Sequence, residues 1–333
     1  MKSEKDKLLL SYYGDDFTGS TDAMETLALN GIATALFLEA PTEAEVAHFQ
    51  LKQKVGGESL RAFGVAGIAR SLSPAEMERE LLPIFEKISR IPSAFFHYKV
   101  CSTLDSAPHT GNIGHALELA TRFFPASHIP LVVGAPFLNR FVVFGNLFAR
   151  IGAETYRLDR HPVMARHPVT PMNESDIGLH LAKQSDRSMA RFDLHALALD
   201  ADARREAYRQ LLRHAGEWVL FDTMSREDLI RTGELIWENR QRPRQLLAGS
   251  SGVEYALALH LQELGLIHKP AHVARPGKAE RLLVIAGSCS PVTERQIQYG
   301  IGRGFLAVKV DVLQFPDERA RGERSRFAPR PCL

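Results

Sequence analysis

Short apolar runs alternate with longer amphipathic segments along most of the chain, and this rhythm restricts the fold more than any other feature. Residues 8–13, 33–38, 62–68, 95–100, 130–133 and 141–144, Trp218–Phe221 and residues 246–248 read as strands. Between them lie helical patterns at 20–30, from Ser73 to about Ser89, and at 114–124, 204–214 and 253–264. Gly31 sits where a left-handed residue closes the first helix. Ser73-Pro74-Ala75-Glu76 forms a capping box with proline at the first helical position. A β-α-β-α order predicts an α/β fold: a mostly parallel sheet with helices on both faces.

A stretch at 267–278 with Pro270, Pro276 and Gly277 lacks periodicity and reads as a linker. The expected division is a domain over 1–268, a linker at 269–279 and a partial second domain over 280–333. In that second part, 282–286 and 305–310 read as strands, and a helix begins near Pro291. From about 316 the chain is Arg-rich and loses its apolar pattern, so a disordered or aberrant tail is expected. Truncation of a longer gene is the favoured explanation.

Lys and Arg total 41 against 39 Asp and Glu, a net charge of +2. This balance gives no reason to expect a nucleic-acid or membrane partner. Three cysteines at unrelated spacings make neither a disulfide framework nor a metal cluster. The charged N-terminus is followed by too short an apolar run for a secretory signal. A cytoplasmic protein is expected.

Tyr13-Gly14-Asp15-Asp16-Phe17-Thr18-Gly19-Ser20 lies where the first strand meets a helix, the edge at which open α/β sheets bind ligands. Paired carboxylates there can bind hydroxyls, hold Mg²⁺ or take a proton from an attacking hydroxyl. The plainer alternative is that Asp16, Thr18 or Ser20 caps the helix. Lys99-Val100-Cys101-Ser102-Thr103-Leu104-Asp105 follows the 95–100 strand, with Gly111-Asn112-Ile113-Gly114 beyond. Lys99 offers a point charge to an anion, while Ser102, Thr103 and Asn112 offer hydrogen bonds to hydroxyls. Nothing near Cys101 suggests a reactive thiol. Arg140 could clamp a carboxylate with its forked donors. His167-Pro168-Val169-Thr170-Pro171-Met172 is a rigid loop carrying a His and a Thr. Gly249-Ser250-Ser251-Gly252 and Gly287-Ser288-Cys289-Ser290 are small-residue turns between strand and helix. Such turns admit phosphate, and each is weak alone. Gly300, Gly302 and Gly304 end a helix before a strand, the reverse of the dinucleotide fingerprint.

In this order the motifs resemble those of the four-carbon acid sugar kinases, from about Leu8 to about Val310. Asp15-Asp16-Phe17-Thr18-Gly19 is similar to that family's opening signature. Lys99–Asp105 with Gly111–Gly114, and His167–Met172, resemble the second and third. Gly287–Ser290 with Thr293 and Gln296 resembles the start of its nucleotide domain. Where many members carry Lys-x-Asp-Ser-Thr-Leu-Arg-Gly, this chain has Cys101 for the Asp and Asp105 for the Arg. That variant is similar to the 3-oxotetronate kinase branch.

The resemblance implies an acid-sugar substrate-binding domain followed by an incomplete nucleotide-binding domain. It implies ATP-dependent phosphorylation of a 3-oxotetronate, threonate or erythronate type substrate, with ATP and Mg²⁺ as cofactors. Asp15 or Asp16 would serve as base. The acid sugar would meet Lys99, Ser102, Thr103, Asp105, Asn112, Arg140, His167 and Thr170, with Gly287, Ser288 and Ser290 on the nucleotide side; no protein metal ligand is expected. A second ATP signature of that family, a Gly-Gly-(Glu/Asp)-Thr-Ser-Gly-like loop, is not present, which leaves open a crippled kinase and a non-catalytic acid-sugar-binding or degenerate protein; separately, a homo-oligomer is open. A Rossmann-type oxidoreductase is the remaining alternative, and the lack of G-x-G-x-x-G after the first strand argues against it.

Overall fold

A strand that is apolar at every position can be stable only between two layers, because its side chains alternate between opposite faces. The computed structural model, which describes residues 8–52, 59–214, 217–270, 277–288 and 291–310, shows this arrangement. Eight strands form one sheet: β1 (Leu10–Gly14), β2 (Thr34–Phe37), β3 (Ala62–Ala66), β4 (Phe95–Lys99), β5 (Ile129–Val132), β9 (Met189–Phe192), β10 (Trp218–Phe221) and β11 (Gln245–Gly249). Their order is β2-β3-β1-β4-β11-β5-β10-β9, and every pairing is parallel. Strands β6 (Arg140–Val143), β7 (Asn146–Ile151) and β8 (Glu154–Arg157) form a separate antiparallel sheet.

Adjacent residues of one strand serve different cores. Tyr13, Phe96, Leu220 and Leu246 join one apolar cluster with helices α3 (Pro74–Ser89) and α4 (Ile113–Thr121). Their neighbours Tyr12, Phe95, Val219 and Leu247 join another. The second cluster also takes α1 (Phe17–Leu29), α8 (Arg226–Glu238) and α9 (Gly252–Glu263). The remaining helices of the first compact unit, Met1–Ala274, are α2 (Glu43–Lys52), α5 (Ile177–Leu181), α6 (Leu194–Ala198) and α7 (Ala201–His214). Because α1 packs on one face and α4 on the other, neighbouring β1 and β4 send their outgoing chains to opposite sides. A crevice therefore opens between their carboxyl ends, the position at which such sheets take ligands. One row of partners crosses this edge: Ala66, Gly14, Lys99, Gly249 and Val132.

Two expectations are corrected. The run at 141–144 is an apolar strand, but it pairs with β7 rather than the main sheet. Phe144 and Gly145, both at positive φ (47° and 74°), turn the chain straight back into a hairpin. In the second unit, Arg275–Leu333, residues 282–286 and 305–310 form no strand. Leu283 and Ile285 are 84% and 89% exposed, and no described neighbour offers the backbone hydrogen bonds a strand needs. The helix expected near Pro291 is present as α10 (Pro291–Ile301), and Gly304 (φ 93°) follows it in the stop role read for the glycine run. The Arg-rich tail lies outside the described residues.

Phe85 of α3 is fully buried and makes edge contacts with Tyr13, Phe96, Tyr98 and Phe124. Phe85→Ala should cost about 3–5 kcal/mol. Urea titration followed by circular dichroism should show a lower midpoint with little change in slope.

Candidate functional site at the carboxyl ends of β1, β3 and β4

The chain leaves β1 into Asp15 and Asp16, and both carboxylates meet one guanidinium, that of Arg70. Arg70 Nη2 donates to Asp15 Oδ1 (2.6 Å) and Asp16 Oδ1 (2.9 Å). Its Nε donates to Asp15 Oδ2 (3.2 Å) and its Nη1 to Asp16 Oδ2 (2.6 Å). A planar fork with five N–H groups can give two hydrogen bonds to each of two carboxylates at once, which the three N–H groups of a lysine cannot. Asp105 Oδ2 lies 3.9 Å from Nη1 and adds a third negative charge on that side. Asp16 also caps α1, accepting from the Gly19 amide at 2.7 Å. Cap and ion pair are thus functions of one side chain, and the helix begins three residues earlier than its periodicity suggested. A Cβ on Gly19 would stand 2.6 Å from Asp16 Oδ1 and 3.2 Å from Lys99 Nζ, so a larger residue here would displace the Asp16 carboxylate.

Asp15 is 2% exposed. Burial raises its pKa, and the charge and hydrogen bonds of Arg70 only partly offset this. A carboxylate held in such balance suits proton acceptance. Lys99 is buried as well, with Nζ 3.2 Å from Asp22 Oδ2 and donating to the Val100 carbonyl at 3.1 Å. Its charge is matched by Asp22, and it is not a free charge on the surface of the recess.

Asp15, Asp16, Arg70, Ser71, His167 and Thr170 line one cavity of about 320 Å³. This is at the lower end of the range for small-ligand sites, about 300–1,000 Å³. His167 Nδ1 accepts from the Thr170 amide at 3.1 Å. An amide can only donate, so the neutral ring carries its proton on Nε2. The recess therefore joins two acceptor carboxylates to an imidazole N–H donor. A larger hollow of about 790 Å³ lies at the opposite ends of the strands, lined by Leu8, Val46, Ile91, Pro243 and neighbours. Its lining includes Glu43, Arg240 and Arg242, but it sits at the edge parallel sheets do not use for ligands.

The loop after β4 is held from below. His180 Nε2 lies 2.9 Å from Ser106 Oγ, and Gln184 Nε2 donates to the same oxygen at 2.9 Å. Gln184 Oε1 accepts from the Ile113 amide at 2.8 Å, pinning the far end of the loop. Gly111 (φ 57°) lies against the backbone of Arg70, where a Cβ would meet the carbonyl at 2.6 Å. Within this loop Thr103 Oγ1 donates to Asp105 Oδ1 (2.7 Å) and lies 2.9 Å from Cys101 Sγ. Burial, then the Asp105 charge, pushes the Cys101 thiol above its ordinary pKa. That shift favours the protonated thiol over the nucleophilic thiolate.

The remaining expected residues fall in different places. Ser102 is half-buried in the same loop. Asn112 caps α4: its Oδ1 accepts from the His115 amide (2.7 Å) and its Nδ2 donates to the Pro108 carbonyl (3.1 Å). Its hydrogen bonds are spent on local structure. Arg140 opens β6, half-buried, and gives Nη1 to the carbonyls of Leu138 and Asn139. Gly287 and Ser288 belong to the second unit, and nothing lies within 4 Å of a Cβ built on Gly287. Ser290 lies outside the described residues. Among the described residues, no three His, Cys, Asp or Glu side chains converge in a way that could hold a metal ion.

The fold is of the parallel α/β class, with a candidate ligand recess at the carboxyl edge of its sheet. A family model described as a sugar-binding N-terminal domain matches residues 10–257, and the chain belongs to that family. A 3-oxo-isoapionate kinase of Paraburkholderia graminis is 41% identical over 312 residues, covering 94% of this chain and 64% of that protein. A 3-oxo-tetronate kinase of Cupriavidus necator is 28% identical over 95% of this chain and 68% of its own length. Among solved structures, a Salmonella typhimurium LT2 protein named for a tRNA synthase superposes with a TM-score of 0.72 at 24% identity. That match covers 92% of this chain and 67% of that one, and it shows the fold alone. The chain thus spans about two thirds of these proteins. No helix among the described residues is long and apolar enough to cross a membrane.

Arg70→Met would leave Asp15 buried without a counter-charge. The variant should lose about 3 kcal/mol at neutral pH. A buried carboxyl whose pKa is raised destabilises the fold only while ionised, so the deficit should shrink as pH falls towards 4. Urea midpoints of wild type and variant between pH 7 and pH 4 give the comparison.

Burial lowers the His180 pKa from 6.5 to about 4. A neutral buried histidine stabilises the fold above its unfolded pKa, and this is lost as pH falls from about 6.5 through 4. The total is on the order of 3 kcal/mol. His180→Asn should flatten the stability profile across that window, as measured by the same midpoints.

Proposed function

We propose that this chain binds a small 3-oxo acid sugar in the recess formed by Asp15, Asp16, Arg70, His167 and Thr170. Within a longer protein it would present a hydroxyl of that sugar for phosphorylation by ATP. One observation carries the reading: two adjacent carboxylates, tied by one arginine, line the same small cavity as a histidine N–H donor. The names of the relatives support it, since both are kinases of 3-oxo acid sugars. The greater identity to the isoapionate enzyme favours a substrate of that kind over the tetronate suggested by the Cys101–Asp105 variant.

Hydroxyls of the ligand donate to the lone pairs that Asp15 and Asp16 retain beside Arg70. His167 Nε2–H then donates to an oxygen at the mouth, while the Thr170 hydroxyl, 3.0 Å from His167 Nδ1, steadies the ring. Asp15, whose pKa is raised by burial, takes the proton of the reacting hydroxyl, and Arg70 holds the carboxyl in position as its charge changes. Phosphoryl transfer depends mainly on such positioning and on neutralising charge. ATP, when bound, supplies the phosphoryl group.

Isothermal titration with 3-oxo-isoapionate, 3-oxotetronate, threonate and erythronate should show saturable binding of at least one acid. Asp15→Asn and His167→Ala should each weaken it by about 10-fold or more, the scale of one lost hydrogen bond to a charged partner. Equal binding by wild type and both variants would place the ligand elsewhere. Binding without release of ADP from added Mg-ATP would mark this chain as the binding portion alone.

A further inference from the structure

Arg70 commits four hydrogen bonds to Asp15 and Asp16, and Lys99 is buried against Asp22. Neither has charge to spare for an incoming anion. Two carboxylates against one guanidinium leave the recess net negative, with Asp105 adding to it. The carboxylate of an acid sugar must therefore find its counter-charge beyond these residues.

The small antiparallel sheet supplies one. Arg140 of β6 pairs with Ala149 of β7, which pairs with Tyr156 of β8, so the three side chains share a face. The ring of His161 lies edge-on to Tyr156, with centroids 6.1 Å apart, and is 4% exposed. His161 Nδ1 accepts from the amides of Met164 (3.1 Å) and Val163 (3.3 Å). The proton of the neutral ring must then sit on Nε2. That atom is buried without a hydrogen-bond partner, and so is Arg140 Nε. Two buried donors on one side of the sheet, with no acceptor for either, are costly at about 1–3 kcal/mol each. Burial and the nearby Arg140 charge lower the His161 pKa, which keeps the ring a neutral donor. The charge of Arg140 also reaches Cys101 and Asp105, at the flank of the Arg70 cluster. His161 and His167, six positions apart in one loop, share a device: Nδ1 is fixed by the amide three residues on, and Nε2–H is left to donate.

We infer that Arg140 Nε and His161 Nε2 form the subsite for the carboxylate of the ligand, with His161 a specificity-determining residue that no motif marks. This rests on the acid-sugar reading and says which end of the ligand lies where: hydroxyls on Asp15 and Asp16, carboxylate against the small sheet. The oxygen that enters supplies the acceptor both donors lack.

The test compares threonate with threitol, its neutral counterpart, by calorimetry on the full chain. Wild type should prefer threonate. Arg140→Met and His161→Phe should weaken threonate by about 10- to 100-fold and change threitol by less than about 2-fold. His161→Gln, whose amide nitrogen can stand where Nε2 stands, should keep threonate within a few-fold of wild type. Near-ultraviolet circular dichroism verifies that each variant is folded. Should Arg140→Met and His161→Phe bind threonate as wild type does, or lose both ligands alike, the subsite is wrong while the acid-sugar reading survives. Should wild type bind no acid sugar, both fail together.

Discussion

Two carboxylates at the buried end of a strand cannot both stay ionised without a cation between them, and the fork of Arg70 meets that demand here. The requirement reaches through the structure. It ties together the turns that leave β1 and β3, since Asp15 follows one strand and Arg70 lies in the turn after the other. It requires Gly111 where the next loop presses on the Arg70 backbone, and Gly19 where the helix turns over the carboxylates. It also leaves Lys99 to serve Asp22 and not a ligand. The recess is organised from inside by charge balance before any ligand arrives.

The architecture was legible because it rests on repeated local signals. Continuous apolar runs marked the buried strands, and the capping box at Ser73 placed α3. Gly31, at φ 93°, ends α1 as expected. The hairpin after Phe144 was not legible, because its turn is made by Phe144-Gly145 and lacks the asparagine or aspartate that advertises such turns. Residues 282–286 look like a strand by composition, but a strand exists only with a partner, and composition does not supply one.

The site divides in the same way. Asp15, Asp16, His167 and Thr170 stood out as polar residues beside strands or in a rigid loop, and they line one cavity. Arg70 did not stand out, because Ile68-Ala69-Arg70-Ser71-Leu72 matches no motif. The one available signal was a lone cation just past the strand that precedes the capping box. Asn112 attracted attention for its glycine neighbours, yet those glycines and its amide serve the start of α4. The orphaned nitrogens of Arg140 and His161 depend on which atoms the fold covers, and a sequence carries no direct trace of that.

The crossing row of Ala66, Gly14, Lys99, Gly249 and Val132 ties the acidic side of the recess to the stiffest part of the molecule. The facing side hangs from three short strands joined by tight bends, tied to the end of the main sheet by a backbone bridge, Val142 to Thr223. One wall is thus an anvil and the other an adjustable jaw. Lengthening or trimming a bend in the jaw would resize the gap for a longer or branched guest while the reacting end stays in register. A lineage with this build could change its diet without redesigning its chemistry.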